Sequence, residues 1–335
     1  INGIKAGYAA GMKVIHIPDT IEINDDIRSL TSVVCHSLSD VPDIIDTWNE
    51  GKVVDIEGYY ENAKINRVYV DRVHVKKAFA EYTAAYNADD PKIKLKIDHT
   101  YRVAALCERI AKAAGMCAYD VELAWLSGML HDVGRFEQIK RYNTFSDADS
   151  VDHAKFGADL LFKDGLISTF LNGMVKCTGY KPGALEDRYS SDGVFLYDRL
   201  NKSDMEMLEL AIRCHNMYRI PQGLNSREQA FCNVLRDADK VDIFKVNIDT
   251  PLEEIYNTTT EELMKSDITD EVLEAFDEEH CILKAIRRTP ADTVIGHVSL
   301  AYELVYDESV RITVEQGYLA KLMHFHYDNE ETNRK

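Results

Sequence analysis

Gly128-Met129-Leu130-His131-Asp132-Val133-Gly134-Arg135-Phe136 is the stretch that decides the fold. It closes an apolar run that begins at Val121, and Ala124, Ser127 and Gly128 lie one and two turns before His131. The face beneath the histidine is therefore small-sided, with room for an ion and a substrate. A His-Asp pair at the end of a buried helix is costly unless its lone pairs and charge are satisfied. A metal ion satisfies both. Asp120 is expected to cap this helix and Gly134 to end it.

Working outward, the same combination of imidazole or carboxylate on an apolar helical face recurs. His99 precedes Val103, Leu106, Ile110 and Ala114, spaced by three and four, and the N-cap for that segment is read from Asp89-Asp90-Pro91. His153 opens a segment with Phe156, Gly157 and Leu160 on its side. His215 ends a helix read as starting with a capping box from Ser203 to Glu206 and carrying Leu208, Ala211 and Ile212. Asp239 shares a face with Cys232, Leu235 and Ile243, which turns Asp237 elsewhere. One such histidine alone is more often a core residue bonded to a carbonyl. The His131-Asp132 adjacency, flanked by His99 and Asp239, changes the balance toward a joint site.

The order His99, His131-Asp132, Asp239 resembles the HD domain superfamily of metal-dependent phosphohydrolases, and His153 with His215 resembles its two-metal members. The resemblance covers about residues 76 to 250 and is carried most specifically by Gly128 to Phe136 and by Arg236-Asp237-Ala238-Asp239-Lys240. It implies a mainly α fold, a helical bundle with the site between helices. It further implies one ion held by His99, His131, Asp132 and Asp239, with Asp132 bridging to a second held by His153 and His215. Mixed imidazole and carboxylate ligands suit Mn, Fe, Co, Ni or Zn better than Ca or Mg. Two such ions per chain would activate water for phosphoryl displacement.

Basic residues gather beside these motifs: Lys94, Lys96 and Arg102, then Arg135, Lys140 and Arg141, then Arg236 and Lys240. In a chain of net charge -18, that clustering suits a small phosphorylated substrate, with nucleotides included. Lys96, Arg102, Arg135, Lys140, Arg236 and Lys240 are the candidate substrate contacts, and His131, Asp132, Arg102 and Arg135 the candidate catalytic set. Several of the cations are equally readable as solvated helix faces. Overall acidity disfavours a long nucleic-acid partner. Gln138 to Ser150 reads as a polar loop able to cover the site.

The 335 residues allow a large domain plus something smaller. No apolar run approaches a membrane span and no signal peptide is visible. Cys35, Cys107, Cys117, Cys177, Cys214, Cys232 and Cys281 are scattered singly, which points to reduced thiols and a cytoplasmic location. The oligomeric state is not legible.

Residues 1–52 have an α/β rhythm: a helix from Gly3 to Met12, strands at Lys13 to Ile17 and Val33 to His36, and a helix from Val41 to Trp48. Asn2 to Met12 followed by Val14-Ile15-His16-Ile17-Pro18-Asp19 resembles the C-terminal end of haloacid-dehalogenase-like phosphatases, whose nucleophile would lie upstream of Ile1. The expected division is a remnant of that α/β domain at 1–52, a linker at 53–72, and an HD domain with a C-terminal helical extension at 73–335. Residues 165 to 202 are read as a loop or lid, and the extension as helices at Thr259 to Lys265, Asp270 to His280, Pro290 to Val305 and Glu315 to Met323. The ligand set also resembles the mixed-valent di-iron oxygenases of the same superfamily, such as inositol oxygenase. A non-catalytic nucleotide-sensing module is a third reading, disfavoured by an intact ligand set.

Overall fold

The computed structural model describes residues 2–17, 29–34, 41–49, 70–171, 176–177, 195–196, 202–251, 253 and 258–335. They fall into two compact units, one drawn from Ile1–Asp71 and Leu171–Arg199, the other from Arg72–Phe170 and Leu200–Lys335.

In the first unit, α1 (Asn2–Ala9) leads to β1 (Ile15–His16), which pairs in parallel with β2 (Val33–Val34), and α2 (Val41–Asn49) follows. The register sets Ile15 opposite Val33, and Val33 and Ile44 form a small core flanked by Ile17 and Trp48. Parallel pairing agrees with the α/β rhythm of the sequence. The strands are shorter than expected, because the ladder covers two residues on each. The linker lies outside the described residues apart from Val70, Asp71 and Arg72.

The second unit is a helical bundle: α3 (Arg72–Thr83), α4 (Pro91–Ala113), α5 (Ala118–Leu130), α6 (Val133–Tyr142), α7 (His153–Ala158, running into a π turn at Asp159–Lys163) and α8 (Ile167–Leu171). A short antiparallel pair, β3 (Lys176–Cys177) with β4 (Phe195–Leu196), belongs to the first unit, and most of the remaining segment read as a lid lies outside the described residues. The bundle resumes with α9 (Lys202–Cys214) and the long α10 (Ser226–Asp249). Its extension holds α11 (Thr260–Lys265), α12 (Asp270–Asp277), α13 (Pro290–Val298), α14 (Asp307–Gln316) and α15 (Tyr318–Met323).

Capping explains several of these boundaries. Asp90 accepts the Lys92 N–H at 2.8 Å and Pro91 takes the first helical position, where its missing N–H costs nothing. Asn225 and Glu228, and Thr259 and Glu262, form reciprocal capping boxes. Three expectations fail. Asp120 is not the cap of α5, which starts after Cys117; its carboxylate sits in the first turn and binds Arg227 at 2.6 Å. Gly134 does not end that helix but lies in the first turn of α6, and a Cβ there would fall 2.3 Å from the His153 carbonyl oxygen. Ser203 lies inside α9, so the expected capping box is absent.

Close packing of α4 on α5 sets the core. A Cβ on Gly128 would come 2.6 Å from the Ala104 Cα, so only glycine permits this approach. Val103, Cys107, Ile110, Leu123, Leu126, Leu130, Ile212 and Leu235 are fully buried around it. The extension has its own core of Leu263, Val272, Ile282, Ala291, Val294 and Tyr327.

Candidate metal centre

Four histidines enter the core from four places in the bundle. His99 projects from the middle of α4, His131 follows the last residue of α5, His153 is the first residue of α7, and His215 follows the end of α9. None exceeds 4% exposure. Their inner nitrogens meet in pairs: His131 Nε2 lies 3.3 Å from His99 Nε2, and His153 Nε2 lies 3.1 Å from His215 Nε2.

The outer nitrogens explain why. Each Nδ1 faces an oxygen: Asp242 Oδ2 at 2.6 Å for His99, the Gly128 carbonyl at 2.8 Å for His131, Asp147 Oδ2 at 2.8 Å for His153, and the Ile212 carbonyl at 2.7 Å for His215. A carbonyl or ionised carboxylate only accepts, so the proton sits on Nδ1 and the Nε2 lone pair is left pointing inward. Facing lone pairs at these separations repel unless a cation or a proton lies between them.

Asp132 supplies the anion at the meeting point. It takes the N-cap position of α6 but makes no capping hydrogen bond with its side chain, which turns inward instead. Its Oδ2 lies 3.6 Å from His99 Nε2 and 3.5 Å from His131 Nε2, while its Oδ1 lies 3.5 Å from His153 Nε2 and 3.8 Å from His215 Nε2. One oxygen faces each histidine pair, the arrangement a bridging carboxylate needs. Asp239, from mid-α10, adds Oδ1 at 3.1 Å from His99 Nε2 and 3.8 Å from His131 Nε2. Ligand atoms of His99, His131 and Asp239, and of His131, Asp132 and His215, each lie within 4.8 Å of one another, so both groups could hold a metal ion.

Two buried atoms here have no hydrogen-bond partner, Asp132 Oδ1 and Arg135 Nε, and they lie 3.8 Å apart. A buried carboxylate oxygen without a donor, at the focus of two imidazole lone pairs, fits the ligand of a cation. The residues present therefore suit a metal ion, with His99, His131 and Asp239, or His131, Asp132 and His215, able to hold it.

Electrostatics agree. Burial pulls the His131 pKa down to about 4 and that of His153 to about 3, keeping both neutral, as ligands must be. Burial alone would raise Asp132, but Lys96, His131, His153 and Arg135 outweigh it and hold the carboxyl well below its usual range. At Asp239 the hydrogen bond from His99 and the neighbouring His131 and His215 likewise overcome desolvation. His99 alone is raised: burial and Lys96 oppose the charge, but its bonds to Asp239 and Asp242 prevail.

The expected substrate contacts are distributed differently. Lys96 Nζ lies 2.7 Å from Asp132 Oδ2, inside the centre. Arg135 stands beside it and donates to Gln138 Oε1, the Phe145 carbonyl and Asp147 Oδ1 at 2.7 to 3.0 Å. Arg102 is turned to Asp242, which it grips with Nε at 2.6 Å and Nη2 at 2.9 Å. Arg236 is buried and donates to the carbonyls of Cys214, His215, Met217 and Tyr218, closing the turn that carries His215. Lys240 is buried with its ammonium 3.3 Å from the Glu303 carbonyl. Lys140 is 58% exposed beside Glu137, and among the described residues no contact ties it to the centre.

Asp242 and Asp147 escaped the sequence reading. Asp242 follows Asp239 by one helical turn, a signal of shared face that was available. Asp147 lies in the connector after α6, whose first part is helix rather than the loop expected from Gln138 onward. Gln138 is buried and ties that connector down through Asp147, Ser150 and Val151. A further acidic group, Asp147, Asp152 and His153, is accounted for by hydrogen bonds: Asp152 caps α7 at the Lys155 N–H and His153 Nδ1 binds Asp147.

Imidazoles and carboxylates from separate helices thus converge in a helical bundle whose centre could hold a metal ion. Residues 97–247 match the family model described as HD domain, the segment that carries all six converging side chains. Searches of curated proteins and of solved structures matched nothing. The likeness of residues 1–52 to haloacid-dehalogenase-like phosphatases rests on the sequence alone.

Proposed function

We propose that the protein is a phosphohydrolase that cleaves a small phosphate ester or nucleotide at a centre of two divalent transition-metal ions (Mn, Fe, Co, Ni or Zn). The observation that supports it most is the splitting of Asp132 between two histidine pairs whose Nε2 lone pairs face inward. Ions bound there would lower the pKa of water toward neutrality and offset charge on the phosphoryl oxygens.

The chain's own groups do the rest. Asp242 and Asp147 hold His99 and His153 in the tautomer that leaves Nε2 free, and Arg102 in turn fixes Asp242. Lys96 and Arg135 bring positive charge to the side of Asp132, where an anionic ester would approach. The small residues below His131 do not leave the expected room: the Ala104 backbone packs where a Gly128 side chain would stand. No described helix is long and apolar enough to cross a membrane, and the unpaired described cysteines agree with the cytoplasmic location we propose.

The test is phosphate release from a panel of phosphorylated metabolites by the Mn- or Co-loaded protein, with Asp132→Ala as the control. Release by the wild type and loss of both turnover and metal in the folded variant is the expected result. Oxygen uptake with bound iron and no phosphate release would favour the di-iron oxygenase reading instead. Full activity in Asp132→Ala would sink the bridging role.

A further inference from the structure

The turn after α9 carries more than His215. Asn216, the next residue, turns its side-chain amide to two carboxylates of the connector that leads into α7: Nδ2 lies 2.9 Å from Asp152 Oδ1 and 3.3 Å from Asp147 Oδ2. An ionised carboxylate only accepts and an amide NH2 carries two hydrogens, so one hydrogen serves each acid. Both acids place His153. Asp147 Oδ2 holds its Nδ1 at 2.8 Å, and Asp152 precedes it in the chain and caps α7 by accepting the Lys155 N–H at 3.2 Å.

Asn216 therefore joins the neighbour of one histidine to the two residues that set the other. The pair needs such a tie, because His153 Nε2 and His215 Nε2 face each other at 3.1 Å with lone pairs that repel. Arg213 also links α9 to α7, through Asp159 at 2.7 Å, but Asp159 lies past the last residue of α7, at the end away from His153. The amide has a fixed base to act from, since the buried Arg236 donates to the carbonyls on either side of it, those of His215 and Met217. Its effect on Asp147 is specific too. Arg135 and Gln138 hold Asp147 Oδ1 at 3.0 Å each, whereas Oδ2, the oxygen nearer His153 Nδ1, is steadied by Asn216.

We propose that Asn216 is a positioning residue that sets His153 against His215, and with them the affinity of the ion assigned to those two histidines and Asp132. This rests on the two-ion reading above. Without the amide, Asp147 and Asp152 lose the donor they share, and the imidazole that Asp147 orients loses its fixed aim at the ion.

The test compares wild type, Asn216→Ala and Asn216→Leu as full chains with Co, using His215→Ala and His99→Ala as references for the loss of either ion. Chelator competition reads the affinity of each ion, the visible absorption of Co reads which position is filled, and denaturant unfolding of the metal-free proteins reads stability. Both Asn216 variants lack the donors, so both should hold the ion at His153 and His215 about tenfold more weakly, with the other ion within about threefold of wild type. The spectrum left after that loss should match His215→Ala, not His99→Ala. Unchanged affinity in both variants, in a wild type that holds two ions, refutes the role of Asn216 alone. Weakening of both ions in step with lost stability also overturns the inference, because the residue would then brace the bundle rather than one histidine pair. So does an effect in Asn216→Ala that Asn216→Leu repairs, which would mark packing instead of hydrogen bonding. A wild type that takes up a single ion refutes the two-ion reading, and the inference falls with it.

Discussion

Asp242→Asn isolates the support of the metal centre from the centre itself. Asp242 touches no second ligand: its carboxylate takes His99 Nδ1 at 2.6 Å and the Arg102 guanidinium at 2.6 and 2.9 Å. Asparagine keeps the shape but offers one acceptor oxygen and turns an N–H2 toward a donor. If its oxygen stays on His99, the guanidinium loses a partner; if it stays on Arg102, the imidazole does. Either way the anion that makes Nε2 more basic is gone. Outer hydrogen-bond partners of this kind are worth about 10–100-fold in metal affinity, or roughly 1.4–2.8 kcal/mol. Arg102 keeps 30% exposure and can rehydrate, so the cost in folding stability should fall at the low end of about 1–3 kcal/mol. Competition against a graded chelator reads the affinity, and denaturant unfolding of the metal-free protein reads the stability. A folded Asp242→Asn that holds both ions within threefold of wild type would refute the claim that this carboxylate sets the His99 tautomer.

Two further outcomes test the packing and the charge. Gly128→Ala should destabilise the bundle by about 1–3 kcal/mol in denaturant unfolding, although alanine is the better helix former, because its Cβ meets the Ala104 backbone at 2.6 Å; a stabilised variant would contradict the close α4–α5 approach. His297 has its pKa pulled down to about 3 by burial and by Arg287 and Lys284, so the unfolded chain binds the extra proton first and stability is lost as pH falls below about 6.5. Between pH 7 and 5 that one group costs the wild type about 2 kcal/mol, a loss that His297→Gln should escape. Equal pH slopes in the two proteins would show that His297 protonates freely in the fold.

The six side chains that converge at the centre stood out in the sequence because each stands on an apolar helical face and two are adjacent, so local pattern exposes the conflict between burial and polarity. The bundle was legible for the same reason. What decides the surroundings is non-local. Arg102 and Arg236 read as substrate contacts because they are cations beside a motif, but the first is spent on Asp242 across 140 residues of chain and the second on carbonyls after α9. Asp120 reads as a cap until Arg227 claims it. The helix Asp307–Gln316 was missed because its buried positions include Glu308, Ser309 and Thr313 rather than an apolar stripe. Gly317, at a φ of 67°, then separates it from the Tyr318–Met323 helix that the sequence reading ran together with its last turn.

Metal stoichiometry tests the central claim most directly. The protein, loaded with Mn or Co and freed of loosely held ions, should carry two per chain, and His153→Ala or His215→Ala should lower that toward one while the ion at His99, His131 and Asp239 stays. A value near one in wild type and variants alike would contradict a bridging Asp132 and leave His153 and His215 as supports of a mononuclear site.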